Sequence, residues 1–114
     1  MTPTSILTEL RSTLNDSDTT PANQRWLDAT LRGYMYSGEI EIVESHPESQ
    51  YITKVANSTP ALLTDNGSSF TIADSYRVAL IHYVAFRCFG EDSEDANNMK
   101  LSASHYTQYL EALK

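Results

Sequence analysis

The sequence predicts a mainly α fold: a small bundle of about four helices, with a short β-hairpin inserted between helices 2 and 3. Three observations carry that expectation. Apolar residues recur at spacings of three and four in four separate segments. Clusters of Asn, Asp, Ser, Thr and Pro stand between those segments. One stretch, residues 51–72, leaves the helical period and alternates β-branched or aromatic residues with polar ones. A length of 114 residues fits one domain around one core.

The first helix is expected at about 4–15, capped by Thr4 or Ser5, with Ile6, Leu7, Leu10 and Leu14 on one face. "NDSDTTPANQ", residues 15–24, is a polar connector. The second helix is expected at about 28–45, with Asp28 as N-cap and Leu31, Tyr34, Met35, Gly38 and Ile42 sharing a face. Pro47 ends it and restricts His46. Gly33 and Gly38 each weaken a helix by roughly 1 kcal/mol relative to Ala, a cost that close packing against a neighbour would explain. In the hairpin region, "YITKVA" and "ALLT" are the strand candidates, and "FTIA" is a short strand or a lead into the next helix. Asn66-Gly67 marks the turn.

The third helix is expected at about 74–89, capped by Asp74 or Ser75. Its sequence, "SYRVALIHYVAFRCF", is apolar on most sides and so central. Gly90 is placed to cap its C-terminus. The fourth helix is expected at about 92–113, with Asp92 as N-cap and Asp95 in the capping-box position. Ala96, Met99, Ala103, Tyr106, Leu110 and Leu113 then form an apolar stripe.

The corner "FRCFGEDSEDANN" crowds Glu91, Asp92, Glu94 and Asp95 at a helix N-terminus, where the macrodipole favours negative charge. Arg87 stands one turn earlier, placed to pair with one of them. Asp92, Glu94, Asp95 and Asn98 also have the chemistry of calcium ligands. The central Gly and terminal Glu of a calcium loop are absent, so the structural reading of Arg87, Gly90, Asp92 and Asp95 outweighs a metal site.

Composition narrows function further. The chain carries 15 acidic and 8 basic residues, a net charge of -7. The basic residues are scattered, which argues against a phosphate-gripping groove. The start of the chain reads as lacking a signal peptide, and one Cys fits a reducing compartment. No segment is long and apolar enough to span a bilayer. His46, His82 and His105 have no partner at metal-ligand spacing, and Cys88 reads as a small buried hydrophobe. No nucleophile elbow, phosphate loop or dinucleotide fingerprint occurs, so no catalytic residue, metal or cofactor is assigned. Asn57-Ser58-Thr59 and Asn66-Gly67-Ser68 match the glycosylation pattern but read as turns. Tyr106 and Tyr109 are candidate interface anchors, margin-of-core positions being an equal alternative.

Two segments carry a further likeness. "RWLDATLRGYMYSGEIEIVESHPE", residues 25–48, has Arg25, Trp26, Asp28, Glu41, Ile42, Val43 and Pro47 in order. "SYRVALIHYVAFRCFGEDSEDANNMKLSASHYTQYLEAL", residues 75–113, has Tyr76, Ala79, Leu80, Tyr83, Val84 and Arg87 in its first helix. Asp92, Glu94, Ala96, Asn98, His105, Tyr106, Leu110 and Leu113 follow at the corner and in the second helix. In order and spacing these residues resemble the head-to-tail adaptor (connector) proteins of tailed bacteriophages. Longer members of that family carry an extra β-rich insertion where this chain has only residues 51–73.

The resemblance implies a structural virion protein without catalysis or cofactor. It would be made in the bacterial host cytoplasm and placed in the neck between capsid and tail. It would form a homo-oligomeric ring, usually dodecameric, beneath the portal protein and join it to the tail or next neck protein. DNA would pass through the channel without specific binding, an acidic lumen keeping it mobile. The candidate partner interface is Tyr106, Tyr109, Leu113 and Lys114 on the last helix, with Tyr51 and Ile52 at the hairpin edge. The alternative is a small helical interaction or regulatory module that forms no ring.

Overall fold

The computed structural model describes residues 1–17, 20, 22, 24–50, 60, 62–91 and 96–114. These build an all-α domain of four helices: α1 (Pro3–Leu14), α2 (Asp28–Ser45), α3 (Arg77–Glu91) and α4 (Ala96–Ala112). Short 3₁₀ turns, Pro47–Gln50 and Asp74–Tyr76, follow α2 and precede α3. No β-strand occurs among the described residues.

The cap of α1 is Thr2, not Thr4 or Ser5. Pro3 takes the first helical position, where a missing N–H costs nothing and the fixed φ suits the helix. The Ser5 hydroxyl accepts from the Thr2 N–H at 3.2 Å, tying the entering chain to the first turn. The helix ends at Asn15, whose φ of 55° is left-handed. There the Asn15 N–H reaches the Ser12 carbonyl at 3.1 Å and the Asp16 N–H reaches the Arg11 carbonyl at 2.9 Å. This is the Schellman pattern. An apolar contact usually joins the two residues that close it. Here a buried ion pair does so, Arg11 Nη1 to Asp16 at 3.0 Å.

That pair organises the connector. The Asp16 carboxylate also accepts the N–H groups of Arg25 at 2.9 Å and Trp26 at 3.1 Å. Trp26 is thereby held in the core, edge-on to Phe89 with ring centroids 6.3 Å apart. α2 then starts at Asp28, with Leu27 in the cap position. Asp28 does not cap as expected, because its carboxylate is engaged elsewhere. It accepts from Arg11, and from Asn66 Nδ2 at 2.9 Å.

α2 buries Leu31, Met35, Gly38, Glu39 and Ile42. Close packing explains one of its glycines. A Cβ on Gly38 would lie 2.6 Å from Tyr83 Cδ1 and 2.9 Å from Leu80 Cδ1, whereas Gly33 has open space. Pro47 ends the helix as expected. α3 is the central element and buries eight of its residues, Leu80, Val84, Ala85 and Cys88 completely.

The expected hairpin fails in its described part. Tyr51–Thr59 and Ala61, which include Tyr51 and Ile52, lie outside the described residues. Leu62–Thr64 and Phe70–Ala73 form no strand. Two physical reasons are visible. Residues 65–68 do turn, with the Ser68 N–H on the Asp65 carbonyl at 3.2 Å and the Gly67 N–H on the Asp65 carboxylate at 2.7 Å. Neither Asn66 nor Gly67 has the positive φ that a two-residue Asn-Gly hairpin turn requires. The backbone donors of the following segment are also taken by other elements. Phe70 N–H binds the Met1 carbonyl at 3.1 Å, Thr71 N–H the Glu39 carboxylate at 2.5 Å, and Ala73 N–H the Ser49 carbonyl at 2.8 Å. Phe70, Ile72 and Ala73 are all buried, so the segment, which bends at Thr71 and Ile72, is a core-filling lead into α3.

Candidate functional site

The corner after α3 is the first candidate. α3 runs through Gly90 to Glu91, and Gly90 lacks a positive φ, so it is not the expected C-terminal cap. It instead lets α4 approach, since a Cβ there would meet Ser102 Oγ at 3.3 Å. Asp92 and Asp95, with Ser93 and Glu94 between them, lie outside the described residues. Arg87 uses aromatic partners. Its guanidinium sits 4.9 Å from the Tyr34 ring centroid and 5.9 Å from that of Tyr83, and it donates to the Tyr83 hydroxyl at 2.9 Å. Burial first, then the charge of Glu91, the described acidic residue of the corner, pushes the Tyr34 hydroxyl above its ordinary value. Among the described residues no group of three or more His, Cys, Asp or Glu side chains is placed to hold a metal.

α4 is the second candidate, and its orientation differs from the sequence expectation. It packs chiefly on α3 and buries only Ser102 and Tyr109. Ser102 donates to the Phe86 carbonyl at 2.9 Å, and His105 stacks on Phe89 with centroids 5.6 Å apart. Tyr109 meets Tyr83 at 5.3 Å and its hydroxyl donates to Glu41 at 3.3 Å. Burial first, then Glu41, pushes the Tyr109 hydroxyl far above the ordinary tyrosine range. Tyr109 therefore belongs to the fold and is no free anchor. Tyr106 is exposed, Leu113 half-buried and Lys114 exposed.

The face that meets α3 thus runs through Leu101, Ser102, His105 and Tyr109, rotated by about one residue, or 100°, from the apolar stripe. That stripe faces outward. Met99 is 57% exposed, Leu110 44% and Tyr106 38%. Hydropathy misplaces the face because the true contact is built from a serine and a histidine whose polar atoms find partners on α3. Two grooves flank the outward ridge. One, of about 300 Å³, lies between α3 and α4, lined by Phe86, Gly90, Met99, Ser102, Ala103 and Tyr106. The other, of about 470 Å³, joins the ends of α2 and α4 between Glu41, His46, Leu110, Leu113 and Lys114.

Two groups of buried polar residues, around Arg11 and Glu39, were not expected from the sequence; His82 reads there as an inter-helix polar residue, but its pairing with His105 is not legible there. Arg11 donates to Trp26 O at 2.9 Å and Gln24 Oε1 at 3.2 Å besides Asp16 and Asp28. Asn66 carries this network onward, through Arg32 Nη1 at 2.6 Å. Arg11 first, then Asn66, holds the Asp28 carboxyl below its ordinary value. Glu39 is buried, and that burial pushes its carboxyl up while its bonds to Thr71 pull it back. Arg11 and Glu39 each stand at an apolar-face position of their helix, which is the one signal the sequence offered. His82 and His105 meet with Nδ1 atoms 3.0 Å apart, one donating and the other accepting. Burial pushes both imidazoles below the ordinary value, and His82 lowers His105 further. Cys88 is buried and its thiol is pushed up to about 12, chiefly by burial.

No protein-family model matches the chain, and neither a curated protein nor a solved structure shows significant similarity to it. No helix among the described residues is long and apolar enough to cross a membrane.

Proposed function

We propose that the protein is a head-to-tail adaptor of a tailed bacteriophage: a ring subunit that docks beneath the portal and joins it to the tail or next neck protein. The observation that carries this reading is the outward apolar ridge of α4 with a groove on either side. Exposed apolar surface of this continuity marks a contact with another protein. The residue order, from Arg25 to Pro47 and from Tyr76 to Leu113, resembles that of adaptor proteins and supports this kind of contact.

In this reading Tyr106, Leu113 and Lys114 border the docking site, and the groove at the ends of α2 and α4 receives a portal segment. A compact four-helix domain is a suitable wedge for a ring. The acidic excess keeps packaged DNA mobile in the channel, since phosphate repulsion leaves no counterion release to gain. The role is structural and needs no catalyst or cofactor. The same ridge also suits a helical interaction module that binds one partner without a ring, and copy number separates the two.

The deciding experiment mixes the purified protein with the portal assembly of its own phage, sediments the mixture and images the fast fraction by electron microscopy. A new ring below the portal, matched to its symmetry, is expected. Folded protein that stays in the slow fraction beside intact portals, and binds no other virion ring, overturns the adaptor reading in favour of the module.

A further inference from the structure

The outward ridge of α4 has a pattern that specifies an occupant. Met99, Ala103, Tyr106 and Leu110 fall within an arc of about 60° on an ideal helix. Their order along the helix is medium, small, large, medium. A two-fold axis midway between Ala103 and Tyr106 sets Ala103 against a second Tyr106, and Met99 against a second Leu110. Each bulky side chain then meets a small or flexible one, the condition for interdigitated packing. Leu110 of one copy faces the groove of about 300 Å³ between Phe86, Met99, Ala103 and Tyr106 of the other.

Charge obeys the same axis. Described α4 and the residues after it carry only Lys100, Glu111 and Lys114 in a chain of net charge -7. Lys100 is exposed and has no acidic partner among the described residues; Glu111 holds only an exposed pair with Lys114 at 3.0 Å. Lys100 and Glu111 lie on one flank of the ridge. The antiparallel arrangement brings Lys100 of each copy beside Glu111 of the other, twice. A parallel two-fold would put the two Lys100 side chains on opposite flanks and leave both without an acidic partner. The near-neutral ridge is also where two acidic molecules approach with least repulsion.

We infer that the free protein pairs with a second copy of itself through an antiparallel, two-fold contact of α4 on α4, centred between Ala103 and Tyr106. The contact is isologous and closes on itself, so it yields a dimer and covers the ridge. It stands independently of the adaptor reading. If that reading holds, the pair keeps subunits from polymerising before a portal is present.

Sedimentation velocity over a concentration series tests the pair on the intact chain. A reversible monomer–dimer equilibrium is expected, with no larger species. Leu110→Glu, at an exposed position, is expected to keep the parent's circular dichroism spectrum and to weaken the dimer by at least about tenfold, because it places a charge against an apolar groove. Lys100→Glu and Glu111→Lys are each expected to weaken it, and the double variant to restore it. A monomer up to the limit of solubility overturns the inference. So does a species larger than a dimer, a dimer indifferent to Leu110→Glu, or a double variant no tighter than its parents.

Discussion

Arg11 shows how much one side chain decides. It is buried, yet five acceptors satisfy it: the Asp16 carboxylate and carbonyl, the Trp26 carbonyl, Gln24 and Asp28. It closes the end of α1, folds the connector back and anchors the start of α2. Removing one partner of a buried pair strands the other. Arg11→Ala is therefore expected to lower stability by about 3–5 kcal/mol in urea unfolding. Arg87→Ala is expected to cost less, about 1–2 kcal/mol, the scale of half-exposed ring-face contacts and one hydrogen bond. Equal losses would show that the Arg11 network carries no special weight. The His82–His105 pair has its own signature. Both imidazoles titrate below the ordinary 6.5 in the folded protein. As pH falls the unfolded chain takes up protons first, so the pair's stabilisation is full above about 6.5 and declines through the folded values. The melting temperature should drop from neutral to mildly acidic pH, and the drop should shrink in His82→Gln and His105→Gln. Comparing variants with the parent cancels Glu39, whose raised value acts in the opposite sense.

At the scale of the element, the two glycines of α2 make a sharp contrast. Gly38 faces Tyr83 and Leu80 with no room for a methyl group, while Gly33 faces solvent. Gly33→Ala is expected to raise stability by roughly 0.5–1 kcal/mol through helix propensity. Gly38→Ala is expected to lower it by about 1–3 kcal/mol, because the α2–α3 approach must widen. Thermal melts of both variants check this, and the same sign for both would refute the packing argument. α4 teaches the opposite lesson about pattern. Its apolar period is legible in the sequence, and the helix forms where expected within the described residues. Which side faces inward is not legible, because Ser102, His105 and Tyr109 enter the interface through hydrogen bonds and ring stacking that hydropathy does not weigh.

The whole molecule is acidic, with 15 acidic against 8 basic residues. Duplex DNA should therefore not shift it in gels even at about 50 mM salt, where phosphate-binding proteins hold most tightly. Retention at that salt would mean that the basic residues gather on assembly, and the sliding-channel role would fail. The same charge sets where the protein can meet others. Contacts should form on the near-neutral ridge of α4, with a second copy in solution and, in the proposed adaptor role, with a ring neighbour or portal.

What the sequence by itself determined is local: four helices of the right type near the right places, a connector after Leu14, a stop at Pro47, and the central burial of α3. Each depends on the spacing of apolar residues and on backbone chemistry, both written along the chain. Tertiary structure alone decided the rest. Residues 62–64 and 70–73 are not paired strands, because Glu39, Ser49 and Met1 capture the backbone donors of the second segment. Arg87 sits over Tyr34, a ring of α2 that only folding brings to α3, besides its own helix's Tyr83 one turn away. The α4 ridge looks outward because α3 offers acceptors and rings to its polar flank. Long-range partners compete with local propensity for the same donors and surfaces, and which of them wins is settled only when the helices meet.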